Sequence, residues 1–221
     1  MMKTVRFMGG LLPVLIFLAG VGCQRAEKKP HGLPYLGNTQ TRLVREGGKL
    51  TEDTVYYTLP DFQFIDQDSQ VVNKATLRGK IYVADFFFTT CPTICPKMSE
   101  QMLRVYNRFR EDPRLEIVSH SIDPEFDTIP VLKDYALRLG VKDNKWHFVT
   151  GRKEDIYNMS KFYLVSAVED PAAPGGFSHS GAFILVDTAF HLRGIYDGTK
   201  PEEVDHLIDG INLLIREMYG E

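Results

Sequence analysis

The run Ile81-Tyr-Val-Ala-Asp-Phe-Phe-Phe88, followed at once by Cys91-Pro-Thr-Ile-Cys95-Pro96, constrains this chain more than any other stretch. A short run, apolar but for Asp85, reads as a strand buried on both faces. Beyond it Met98, Met102, Val105 and Phe109 recur at helical spacing. The two thiols therefore fall where a buried strand gives way to a helix. A helix N-terminus favours the thiolate, the form that both metal binding and disulfide exchange require.

Strand and helix signals alternate from there. Residues 115–122 read as a second strand, and 129–139 as a helix that Gly140 ends. Residues 146–149 read as a short strand and 154–163 as a helix. Residues 182–186 and 191–196 read as neighbouring strands, and 202–218 as a closing helix. Residues 56–65, with Val71-Val72, alternate enough to form an N-terminal β-hairpin leading in. This order implies an α/β sandwich of the thioredoxin kind with a hairpin extension, spanning residues 54–221.

The N-terminus speaks to location. Lys3 and Arg6 precede an uncharged stretch that ends in Ala19-Gly-Val-Gly-Cys23. Its apolar core is too short to cross a bilayer comfortably, so residues 1–22 read as a lipoprotein signal peptide with Cys23 as the lipid attachment site. Residues 24–53 are polar, carry Gly47-Gly48 and several prolines, and show no sustained period; with Cys23 they read as a tether. The expectation is a membrane-tethered domain on the extracytoplasmic, periplasmic side. A net charge of −3 offers no electrostatic case for a nucleic-acid partner or for broad attraction to anionic lipid.

With Cys23 assigned to lipid, Cys91 and Cys95 remain. Side chains at i and i+4 on a helix stand about 5–6 Å apart at Cβ, wide for a disulfide and suited to a shared metal ion, although an irregular turn at Pro92 keeps a disulfide open. His179, in Gly176-Phe-Ser-His-Ser-Gly181 just before an apolar strand, is the candidate third donor. Two thiolates and an imidazole favour copper by ligand type. Among the other histidines, His120 and His147 lie within strands, His191 and His206 at surface positions and His31 in the tether. Asp123 and Asp127 read as a capping, site-shaping loop rather than as ligands.

Phe88-Thr-Thr-Cys-Pro-Thr-Ile-Cys-Pro96, Ser121-Ile-Asp-Pro-Glu-Phe-Asp-Thr128 and Ser178-His-Ser-Gly181 resemble, in that order, the signatures of the Sco/SenC family. The resemblance implies a thioredoxin-like fold and a copper ion held by Cys91, Cys95 and His179. It also implies work on the dinuclear copper centre of cytochrome c oxidase, with that centre's subunit as partner, by delivering copper or by reducing its cysteines. Thr90 and Phe87 depart from the family pattern, where a histidine and a glycine are usual. Asp85 occupies the place of a buried aspartate that assists proton transfer in thioredoxins, which would make it catalytic alongside Cys91 and Cys95 if the pair is redox-active. Against thiol chemistry, Ser178-His179-Ser180 stands where thioredoxins place a cis-proline, and the nearest proline is Pro174.

Overall fold

The computed structural model describes residues 32–220. The leader and Cys23, on which the lipid expectation falls, lie outside them. Among the described residues no helix is long and apolar enough to cross a membrane.

A seven-stranded mixed sheet is the frame. Its strands are β3 (Gln63–Asp66), β4 (Val71–Asn73), β5 (Ile81–Phe87), β6 (Leu115–Ser121), β7 (Trp146–Thr150), β10 (Ala182–Val186) and β11 (Leu192–Asp197), in the order β11-β10-β5-β6-β7-β3-β4. β5 is an interior strand, parallel to β6 and antiparallel to β10. All seven of its residues are buried, as its apolar composition requires. Phe86 stacks on His120 of β6 and meets Tyr163 edge-on, whereas Phe87 stacks on Tyr135. Alternate residues of one strand thus feed two cores, one on each face of the sheet.

Four helices cover those faces: α1 (Ile94–Phe109), α2 (Ile129–Arg138), α3 (Lys153–Phe162) and α4 (Pro201–Tyr219). α1 buries Cys95, Met98, Met102, Val105 and Phe109 along one stripe. α4 opens with Pro201, Glu202 and Glu203 and stops at Gly220 in the left-handed conformation, φ 76°. Those are the residues that start and end a helix by backbone geometry and dipole. The thioredoxin-like α/β sandwich is the fold the strand–helix alternation implies.

Two features depart from the sequence reading. Part of the segment read as a tether is structured: β1 (Gln40–Glu46) and β2 (Lys49–Val55) pair through Gly47-Gly48, whose φ values are 56° and 85°. Both strands alternate polar residues and bury little, so they show no apolar run; the glycine pair, which supplies positive φ, is the hairpin signal. The hairpin that enters the sheet is β3–β4, and residues 56–62 before it form an irregular strap in which Leu59 N–H bonds to the Phe190 carbonyl at 3.0 Å. The second departure is a separate two-stranded ribbon, β8 (Ala167–Glu169) and β9 (Phe177–His179).

Candidate metal centre

The chain leaves β5 through Phe88-Thr89-Thr90, and the Cys91 N–H bonds back to the Phe88 carbonyl at 3.2 Å. α1 starts at Ile94, so Cys91 stands in the turn before the helix while Cys95 lies within its first turn. The two thiols are not both helical, as the i, i+4 reading assumed. In that turn Pro92 and Thr93 face solvent, but Cys91 is 9% exposed and Cys95 2%.

The third donor arrives from the far part of the chain. His179 ends β9 and pairs across the ribbon with Ala167. Cys95 Sγ and His179 Nε2 are 3.3 Å apart, and one ligand atom from each of Cys91, Cys95 and His179 falls within 4.8 Å of the others. Among the described residues this is the one group of such side chains close enough to share an ion. His179 Nδ1 donates to the Ser180 carbonyl at 3.2 Å, which leaves the Nε2 lone pair facing the sulfurs. Phe88 fixes the approach. Its ring packs against Phe177 (5.1 Å between centroids) and edge-on to His179 (6.1 Å). Gly175 crosses Phe88 so closely, with φ +83°, that a Cβ there would sit 2.7 Å from the ring. A small pocket of about 150 Å³ opens onto Cys91 and His179 between Ile94, Pro174 and Phe177.

The two thiols are inequivalent. Burial pushes both up, but Cys91 accepts hydrogen bonds from the Cys95 thiol and from backbone and side-chain donors at Thr93 and Cys95, which carry it below the ordinary thiol value. Cys95 is driven well above that value by burial, by donating to Cys91 and by nearby negative charge, Asp85 included. The thiolate is thus favoured at Cys91, by the hydrogen bonds it accepts, and disfavoured at Cys95, where desolvation dominates. Burial also lowers His179, so its imidazole is neutral and available as a donor near pH 7. A cation among these atoms would take the place of the Cys95 proton. Two sulfurs and one imidazole nitrogen, with no fourth side chain in the group, suit a soft ion content with three donors; a structural zinc site would want a fourth.

Asp85 is near enough to Cys95 for its charge to act on that thiol, and it lies outside the Cys91-Cys95-His179 group. It is 4% exposed, its Oδ1 has no partner among the described residues, and burial raises its carboxyl to about 7 against the opposing pull of the Ser119 hydroxyl. Asp127 shapes the site from the side. Its buried carboxylate accepts from Thr89 N–H (3.1 Å), the Thr89 hydroxyl and the Ser121 hydroxyl (2.6 Å), which ties the turn before Cys91 to the end of β6. Asp123 is partly exposed and accepts the Asp127 N–H through its backbone carbonyl at 2.8 Å. His191 is half-buried rather than on the surface, with Nδ1 donating to the Tyr57 carbonyl at 2.8 Å, far from the centre. Phe88, Thr89 and Gly175 were not singled out from sequence as working parts. An alternation pattern carries no sign of contacts between segments so far apart.

The sequence profile of the SCO1/SenC family matches residues 51–215. A SCO1/SenC family lipoprotein from Bacillus anthracis is 29% identical with a TM-score of 0.66, the match covering 72% of this chain and 95% of that one. BsSco, described as a member of the Sco family of cytochrome c oxidase assembly proteins and as having a disulfide switch, is 30% identical with a TM-score of 0.62, over 71% and 92% of the two chains. ScoI of Arabidopsis thaliana, solved with copper bound, is 26% identical with a TM-score of 0.60, over 72% and 99%.

Proposed function

The chain belongs to the SCO1/SenC family, and from that premise we propose that it is an extracytoplasmic copper chaperone serving the dinuclear copper centre of cytochrome c oxidase. The observation that carries this reading is the convergence of Cys91 Sγ, Cys95 Sγ and His179 Nε2 within 4.8 Å. Copper is the cargo. The Cys91 thiolate and the neutral imidazole bind without prior change, and Cys95 releases its proton as the ion arrives. A copper-bound relative and a relative assigned to oxidase assembly support the metal and the partner. The leader, with Cys23, and a family lipoprotein support tethering through an N-terminal lipid on the periplasmic side. Hand-over proceeds by ligand exchange: incoming thiolates of the oxidase subunit replace these donors one at a time.

The test is titration of the reduced protein with Cu(I) against a chromophoric competitor, followed by mixing with the copper-free oxidase domain. Uptake of one ion per chain and its transfer are expected. Absence of uptake by the reduced protein defeats the reading.

The asymmetry of the thiols favours a second reading, a thiol:disulfide reductase acting on the cysteines of the same oxidase site. The low Cys91 thiolate would attack a substrate disulfide and release one substrate thiolate, leaving a mixed disulfide. Cys95, deprotonated with Asp85 as a nearby acceptor, would attack Cys91 Sγ and free the second substrate thiol. The chain would end oxidised and the substrate reduced. Insulin reduction run beside the copper titration separates the two: turnover without copper uptake promotes this reading.

A further inference from the structure

Strand direction fixes where the metal centre lies. β5 runs toward Cys91, β10 ends with Val186 opposite Tyr82, and β11 starts with Leu192 opposite Val186. Leu192 and the metal centre thus lie at opposite ends of a seven-residue strand, about 20 Å long. The N-terminal part of the chain is fastened at the Leu192 end. Leu36 N–H bonds to the Leu192 carbonyl at 2.8 Å, and the buried Arg193 donates to the carbonyls of Leu33 (2.7 Å) and Pro34 (3.2 Å). Asp187 and Glu217 hold the same guanidinium, and the Tyr35 ring lies 4.1 Å from it. Gly32, the first described residue, abuts the Glu217 carboxylate. The segment leading back to Cys23 therefore joins the domain at the pole opposite the metal.

That pole carries cations. Arg108 and Arg216 line an open groove of about 360 Å³ with Asn212 and Arg114, and Arg114 is held by Asp112 in a two-pronged pair. Arg78 stands next to Gly79, whose carbonyl accepts the Tyr219 hydroxyl at 2.6 Å. Arg78, Arg108 and Arg216 are exposed, and none meets a carboxylate among the described residues, whereas Arg104, Arg110, Arg138 and Arg152 each do. Exposed guanidinium groups without a carboxylate are matched to phosphate in charge and in donor geometry.

We infer that the face bearing Arg78, Arg108 and Arg216 docks on anionic phospholipid headgroups, so that the metal centre points away from the bilayer; this rests on the membrane-tethered part of the reading above. A net charge of −3 gives the whole protein no attraction to such a surface. Cations gathered where the tether enters act locally, within a Debye length of the headgroups.

The test uses the full chain reconstituted into vesicles of phosphatidylcholine alone or mixed with phosphatidylglycerol. A fluorescent side chain replaces Asn107, exposed beside Arg108, or Glu202, exposed at the metal pole, and headgroup-region brominated lipid is the quencher. Quenching at 107 is expected to rise at least twofold on the anionic vesicles and to stay flat at 202. The rise should vanish in R78E/R108E/R216E and shrink in the milder R108Q/R216Q. Equal quenching at both positions, or quenching at 107 that ignores lipid charge, as contact with another protein chain would give, overturns the inference. So does abolition of the rise by millimolar inorganic phosphate at constant ionic strength, which would make the groove a site for free phosphate. Copper titration of the same samples reports separately: a chain that docks without taking up copper defeats the proposed function and leaves this surface standing.

Discussion

Cys95 Sγ stands 3.3 Å from His179 Nε2, although 84 residues separate them in the chain. The contact joins a thiol that burial keeps protonated to an imidazole that burial keeps neutral. One proton thus occupies the space that a metal ion would take.

Removing His179 takes away one of three donors. His179→Ala should weaken Cu(I) binding by about 100-fold or more, beyond the roughly 10–100-fold typical of losing an outer partner. His191→Ala removes a bond to the Tyr57 carbonyl far from the sulfurs. It should leave copper affinity unchanged and cost about 1 kcal/mol of stability. Competition titration and urea denaturation of the two variants check the contrast.

The thiols should react in order. Cys91 lies below the ordinary thiol value and Cys95 well above it. Iodoacetamide at pH 8 should therefore modify Cys91 first in the reduced, metal-free protein, with Cys95 lagging at least tenfold, as mass spectrometry of quenched samples would show. Bound Cu(I) should protect both.

Asp85 and His120 sit on neighbouring strands and titrate with opposite consequences. The Asp85 carboxyl is raised from 3.8 to about 7, so the folded chain binds the extra proton between those values. Its contribution is complete below about pH 4 and has gone above 7. His120 is lowered from 6.5 to about 4 by burial, so its contribution is complete above 6.5 and is lost as pH falls to 4. The slopes oppose each other and mask one another in the parent. Asp85→Asn should leave stability climbing from pH 4 to 6.5, and His120→Gln should leave it falling from pH 4 to 7. Each change has an upper bound of roughly 3–4 kcal/mol. Denaturant midpoints across that pH range would show both.

Asp127 holds the Cys91 turn through Thr89. Asp127→Ala leaves the Thr89 N–H and two hydroxyls without their acceptor, at a cost of about 1–3 kcal/mol for the buried donors. It should weaken copper binding as the turn loosens. Asp127→Asn, which keeps one carbonyl acceptor, should fall between the parent and the alanine variant in both melting temperature and affinity.

β5, the helix after it and the three side chains that converge at the candidate centre were legible because each left a local mark: an apolar run, a helical stripe, two cysteines at a turn and a histidine before a strand. The hairpin β1–β2 was not, since its strands bury little and show polar residues on both faces. Nor was the ribbon β8–β9, whose strands have three residues each and no period to read. The Asp127–Thr89 tie spans 38 residues, and only the folded sheet brings the two together. The unequal state of the thiols is likewise tertiary: sequence placed both at a helix start, while the hydrogen bonds that Cys91 accepts and the burial of Cys95 decide which of them keeps its proton.

His179 rides on β8–β9, a ribbon with no ladder to the seven-stranded sheet that carries the cysteine turn. The nitrogen donor is thus joined to the sulfur donors by side-chain packing on Phe88 and by the short link into β10, not by a shared strand ladder. Moving His179 would break no backbone hydrogen bond of the seven-stranded ladder, so the cost of withdrawing the imidazole falls on the packing around Phe88 rather than on the sheet.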